Sequence, residues 1–250
     1  MTPQLKNSQK QVFPELFSAQ LSAGFSSRDC GNMSLCYGAS GNSLENRKHF
    51  LAELGIDYRS IVCAKQVHGS GVKRVKKQDS GKGALSYDTA IADTDALITD
   101  EKNLPLAVFT ADCLPVFLYD AQHKAIGLVH AGWRSSKENI LAKSLKAMQN
   151  EFDTKGKDIY AAFGPAIRSC CYEVGEEFKQ NFPAGLIKES GRLFLDLAKT
   201  NKKQLLDWGA SEVNIFDCGI CTFCQNQDYF SFRKEGASCG RMMSVVMLKN

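Results

Sequence analysis

The chain has 250 residues, 44% hydrophobic and 23% charged, which suits one large globular domain and excludes a disordered, collagenous or disulfide-stapled miniature protein. Thirty-one basic and 27 acidic residues leave a net charge of +4, compatible with an anionic substrate and too mild to point to nucleic acid. Residues 1–11 are polar, expected to be a flexible N-terminus, and lack the apolar core of an export signal, while the longest apolar stretch, LPLAVFTADCLPVFL, is interrupted by Asp112 and two prolines. A cytoplasmic protein with no membrane segment is expected, its ten cysteines reduced.

In chain order, helical spacing first appears over 44–54. Residues 60–67 read as a strand that ends at His68 and the Gly69-Ser70-Gly71 turn. Lys73, Arg74, Lys76 and Lys77 then fall on a strand whose charges suit a solvated edge. Further strands are expected over 96–99, 106–110, 116–119 and 125–130. Ser135 and Glu138 stand in capping-box register ahead of a helix over 136–152, whose Ile140, Leu141, Leu145, Met148 and Phe152 share one face. A strand over 159–163, helices over 173–182 and 196–208, and strands over 213–216, 229–233 and 243–248 complete the pattern. The class is α+β: a single domain over residues 1–250, with layered mixed β-sheets flanked by helices.

Three soft-metal ligands stand at the tips of apolar runs: His68 in KQVHGSG, Cys113 in TADCLP and His130 in LVHAGWR. Two imidazoles and a thiolate with an open fourth position describe a catalytic zinc site, with copper also compatible. The three are far apart in sequence, so the fold has to assemble them. A metal so held can polarise a bound water for attack on C6 of a purine. Asp112, beside Cys113, reads either as a proton shuttle or as a turn carboxylate. Gly69 and Gly132 remove side-chain bulk beside the imidazoles, and His49 and His123 read as surface residues. The turn from Ala131 to Arg134 suits a phosphate, or is simply a tight turn with a packed tryptophan. Cys113 and His130 equally fit a thiol nucleophile with its base. Cys218, Cys221 and Cys224 have iron–sulfur spacing with Cys239 as a conceivable fourth ligand, but read more readily as free thiols, and Cys170 and Cys171 as packing thiols. No Gly-rich nucleotide loop follows a strand.

The order of motifs resembles the YfiH-like, laccase-domain purine nucleoside phosphorylases over nearly the whole chain. The matching pieces are NMSLCYG with Asn32, LENRKHFL with Asn46 and Arg47, KQVHG with Gln66 and His68, DTDALIT with Asp95, TADCLPVFL and HAGWR. GPAIRSCCYEVGEEF, Cys221-Thr222, FSFR with Arg233 and GRMMSVVML continue the match. The resemblance implies that His68, Cys113 and His130 are the metal ligands, and that the fold is related to that of putative cysteine hydrolases. It further implies metal-dependent phosphorolysis of adenosine, inosine and methylthioadenosine, with deamination of adenosine to inosine; the donor chemistry makes zinc the expected metal. Purine nucleosides and phosphate are the expected substrates.

Phosphorolysis requires a cationic clamp, for which Arg134 and Arg28 are candidates. Asn32 and Gln66 are candidate contacts to base or ribose, with Glu173 and Tyr172 supporting the pocket. The chain departs from the family pattern in a short segment after Arg28, in Ser135 after HAGWR, and in its CxxCxxC run. Four histidines are too few for the centres of a multicopper oxidase, so polyphenol oxidation is expected to be adventitious. The rival readings are a Cys–His hydrolase editing a peptidoglycan precursor and a noncatalytic partner of cell-wall or division machinery.

Overall fold

The computed structural model describes residues 19–250; the expected flexible segment, residues 1–11, lies outside them. Among the described residues the strands are β1 (Leu21–Phe25), β2 (Val62–Cys63), β3 (Val72–Arg74), β4 (Ala96–Thr99), β5 (Leu106–Thr110), β6 (Leu114–Asp120) and β7 (Ala125–Ala131). They continue with β8 (Ile159–Phe163), β9 (Glu173–Val174), β10 (Leu186–Glu189), β11 (Arg192–Leu195), β12 (Ile215–Asp217) and β13 (Met242–Leu248). The helices are α1 (Ser43–Glu53), α2 (Trp133–Lys137), α3 (Ile140–Phe152), α4 (Leu197–Asp207) and α5 (Phe232–Glu235).

Strand alternation explains the layering. In β6, Leu114, Val116 and Leu118 pack with Ile140, Leu141, Leu145 and Met148 of α3 and Leu205 of α4. The intervening Phe117 and Tyr119 face the other way, against Leu106 and Val108 of β5 and Val246 and Leu248 of β13. On the outer face of that second sheet, Ala107, Met243, Val245 and Met247 bury Phe50 and Leu51 of α1. The result is helix, sheet, sheet, helix, with each fully buried large apolar side chain contributing roughly 1.5–3 kcal/mol. The inner sheets run β12-β8-β6-β7-β4-β3 and β1-β13-β5-β2, and both are mixed; a small sheet, β10-β11-β9, is separate. The expected α+β layering is therefore observed. No helix among the described residues is long and apolar enough to cross a membrane.

Several expected elements differ, each for a local reason. The helix foreseen over 136–152 is two helices, because Asn139 adopts a left-handed conformation (φ 58°) between them. Ser135 does not cap the helix as expected: α2 starts earlier, and the Gly132 N–H donates to Ser135 Oγ. The segment 173–182 is not a helix, since its first residues pair with β11 and only a single 3-10 turn follows. The strand foreseen over 229–233 gives way to α5, because the Glu235 carboxylate accepts the Ser231 N–H and coils the chain. The strand over 60–67 shortens to β2, and the Gln66 side chain extends the ladder by exchanging hydrogen bonds with the Phe109 N–H and C=O.

Candidate metal centre and pocket

Strand register brings two of the three ligands together. In the β6–β7 hairpin Leu114 pairs with Ala131 and Pro115 with His130, so Cys113, one residue before β6, comes level with Gly132 at the open end. Across the next ladder Ala96 pairs with Val129, and the His130 N–H donates to the Asp95 carbonyl. His130 continues the row of Ile126 and Leu128 that faces the gap between the sheets. The turn at the hairpin's closed end is fixed by Asp120, whose carboxylate accepts the N–H groups of Gln122 and His123.

His68 arrives on the loop after β2, in a left-handed conformation (φ 59°). Asp95 holds it there: its buried carboxylate accepts the N–H groups of Val67, His68 and Gly69 and, at 2.8 Å, pairs with His130 Nδ1. That bond leaves His130 Nε2 directed at the other ligands. The donor atoms of His68, Cys113 and His130 lie within 4.8 Å of one another, and the two imidazoles meet edge to face with centroids 4.8 Å apart. The set suits a soft or borderline divalent metal with one position open.

Electrostatics agree with that chemistry. Burial pushes the Cys113 thiol up, but the charge of His130 and hydrogen bonds from His130 and His68 more than offset it, bringing it down to about 6. Burial lowers His130, yet the Cys113 thiolate and Asp95 raise it to about 9. The opposite shifts favour a thiolate beside an imidazolium, a pair whose proton a bound cation would replace.

The ligands sit in a cavity of about 490 Å3, walled by Gln66, Phe109, Trp133, Ile167, Tyr172 and Phe232. Arg134 stacks on Trp133 at 4.4 Å and Arg233 on Tyr172 at 5.1 Å, and both line the cavity, as do Arg47 and Arg241, whose guanidinium groups bond backbone carbonyls. Asp112, with a strained backbone (φ 87°), also lines it; its carboxylate accepts Thr222 Oγ1–H and the Arg233 N–H, both at 2.6 Å.

Three expected substrate contacts lie elsewhere. Arg28 bonds Glu235 at 2.5 Å and the carbonyls of Asn226 and Tyr229, and stacks on Phe230, so its guanidinium braces the 226–235 segment. The Asn32 amide is consumed by the carbonyls of Tyr37 and Ala39 and the N–H groups of Ser34 and Arg241. Glu173 is exposed and its carboxylate pairs with Arg192, so it supports the pocket only through its carbonyl, which accepts from Arg233 Nη1. Arg233 fills the position foreseen for Arg28, and its motif carried that signal. Asp95 also belongs to the site; nothing in the sequence alone showed that its register faces His130. An alanine Cβ at Gly132 would lie 2.9 Å from the Cys113 sulfur, whereas one at Gly69 would meet only ordinary contacts, so the expected need for glycine holds at Gly132 alone.

A layered α+β fold with a His2Cys donor set lining a pocket of about 490 Å3 defines a candidate metal-dependent enzyme. The chain belongs to the family described as multi-copper polyphenol oxidoreductase laccase, which matches residues 20–249. It is 34% identical over 225 residues to the purine nucleoside phosphorylase YlmD of Geobacillus stearothermophilus, covering 86% of this chain and 82% of that one. The crystal structure of that YlmD superimposes with a TM-score of 0.88, covering 95% of this chain and 94% of the other, at 31% identity. YfiH of Bacillus licheniformis also gives 0.88, at 31% identity over 93% and 94% of the two chains. The adenosine deaminase RL5, from an unknown prokaryotic organism, is 28% identical over 82% of each chain. As for the family's copper description, His49 pairs with Glu45 and His123 with Asp120, so neither joins the site.

Proposed function

We propose that the protein is a zinc-dependent purine nucleoside phosphorylase acting on adenosine, inosine and methylthioadenosine, with adenosine deaminase activity at the same site. The observation that carries the reading is the convergence of His68, Cys113 and His130 at the floor of an aromatic pocket bordered by Arg134 and Arg233. Relatives named for phosphorolysis and for deamination support it. When bound, the metal supplies Lewis-acid polarisation at the pocket floor.

The chain's own residues supply the rest. Trp133, Tyr172, Phe109 and Phe232 offer flat faces to a purine. Arg134 and Arg233 hold phosphate near the ribose. In phosphorolysis a phosphate oxygen bonds to C1′, the C1′–N bond breaks with its electron pair leaving on the purine, and the base takes up one proton. In deamination water adds at C6 and ammonia departs. Asp112 keeps a lone pair on each oxygen after bonding Thr222 and Arg233, and it relays the proton. Product analysis with adenosine tests the reading: adenine and ribose 1-phosphate form only with phosphate, and inosine forms with or without it. Absence of all three products overturns it.

The facing Cys113 thiolate and His130 imidazolium favour a second reading, a Cys–His hydrolase of the cysteine-hydrolase kind acting on a peptidoglycan precursor. It requires turnover in chelator-stripped protein, where the first reading requires none.

A further inference from the structure

The fold gathers a second group of thiols outside the pocket. The sulfurs of Cys170, Cys171, Cys221 and Cys224 lie within 4.8 Å of one another, with Cys224 3.2 Å from Cys171 and 3.7 Å from Cys170. This set differs from the one the CxxCxxC spacing suggested. Cys218 turns away to Arg168, and Cys239 is buried with its sulfur directed at the Gly240 carbonyl. The adjacent pair Cys170-Cys171, expected as packing thiols, takes their places.

We propose that these four cysteines form a structural zinc site separate from the pocket. Around a tetrahedral zinc with bonds of about 2.3 Å, neighbouring sulfurs stand roughly 3.8 Å apart, close to the spacing seen. A multi-iron cluster interposes sulfide and would force the thiolates further apart. The donor set is all sulfur, four-membered and closed, as in structural rather than catalytic sites. None of the four lines the pocket.

The backbone is arranged for it. Cys221 and Cys224 sit on one turn, where the Gln225 N–H bonds the Cys221 carbonyl, and the N–H groups of Cys224 and Arg168 donate to the Cys221 sulfur. Cys170 and Cys171 sit on the turn closed by the Cys171 and Tyr172 N–H groups on the Arg168 carbonyl. The two turns are joined by the Ala166–Cys221 bridge and the Thr222 N–H to the Ala166 carbonyl. Each turn carries a pocket element: Ile167 and Tyr172 on one, and on the other Thr222, which holds Asp112. Zinc here cross-links two walls of the pocket without touching substrate.

Metal counting tests this independently of any nucleoside activity. Purified wild-type protein should carry two zinc ions per chain, Cys113→Ala one, Cys224→Ser one, and the double variant none. In the cobalt-substituted protein, intense thiolate-to-cobalt absorption should persist nearly in full in Cys113→Ala and fall in Cys224→Ser to the weak contribution of the single Cys113 thiolate. Cys224→His, which keeps a ligand, should retain the second ion with weakened absorption and guards against loss through misfolding. The proposal is overturned if Cys224→Ser keeps the wild-type metal content, if Cys113→Ala alone removes all metal, or if peptide mapping finds a Cys171–Cys224 disulfide in place of zinc.

Discussion

Asp95 bonds both the ring of His130, at 2.8 Å, and the backbone of the loop that presents His68, so a single buried carboxylate sets the positions of two candidate metal ligands. Asp95→Asn keeps the shape but loses the charge and turns an amide N–H2 toward backbone N–H donors. We expect metal affinity to fall by about 10- to 100-fold, measured by competition with a chelator of known affinity.

Gly132→Ala places a methyl group 2.9 Å from the Cys113 sulfur. The thiol has to move, so metal retention should fall at least several-fold while the melting temperature drops by only a few degrees. Gly69→Ala, whose methyl meets only ordinary contacts, should leave metal retention within about twofold of wild type.

The two arginines should separate by assay. Arg233→Ala is expected to raise the KM for phosphate about 10-fold or more, the cost of one charge-assisted contact. Arg28→Ala, which removes the brace on the segment carrying Arg233 without touching the pocket itself, should lower stability and raise that KM less than Arg233→Ala does. An unchanged phosphate KM in Arg233→Ala would remove it from the anion clamp.

Glu235 gives a pH signature. Burial raises its carboxyl, but the hydrogen bonds from Arg28, the Ser231 N–H and Asn226 overcome that and hold it at about 2, against an ordinary 4.5. Because the folded value is depressed, its contribution is complete above about pH 4.5 and is lost as pH falls toward 2. Glu235→Gln should therefore cost about 1 kcal/mol at pH 7, with wild type and variant converging in denaturant midpoint only as pH falls to about 2.

Much of this arrangement was legible in the sequence, and its limits have physical causes. Long periodic segments read correctly: α3 with Leu141, Leu145 and Met148 on its buried face, α4 within the helix expected over 196–208, and the strands over 106–110 and 125–130. The convergence of His68, Cys113 and His130 was legible because each member ends an apolar run beside a turn. What could not be read depended on register or tertiary pairing. Asp95 looks like any loop acid until β4 is laid against β7, and Cys170-Cys171 are unremarkable until the Ala166–Cys221 bridge brings them to Cys224. Arg28 and Asn32 misled because polar side chains in a motif can serve the backbone as readily as a substrate.

The most direct test of the central claim is adenosine phosphorolysis by four samples: wild type as purified, wild type stripped with chelator, the stripped protein given zinc, and Cys113→Ala given zinc. The account predicts turnover in the first, loss in the second, recovery in the third and none in the fourth. Full turnover in the stripped protein, or in Cys113→Ala, would contradict it.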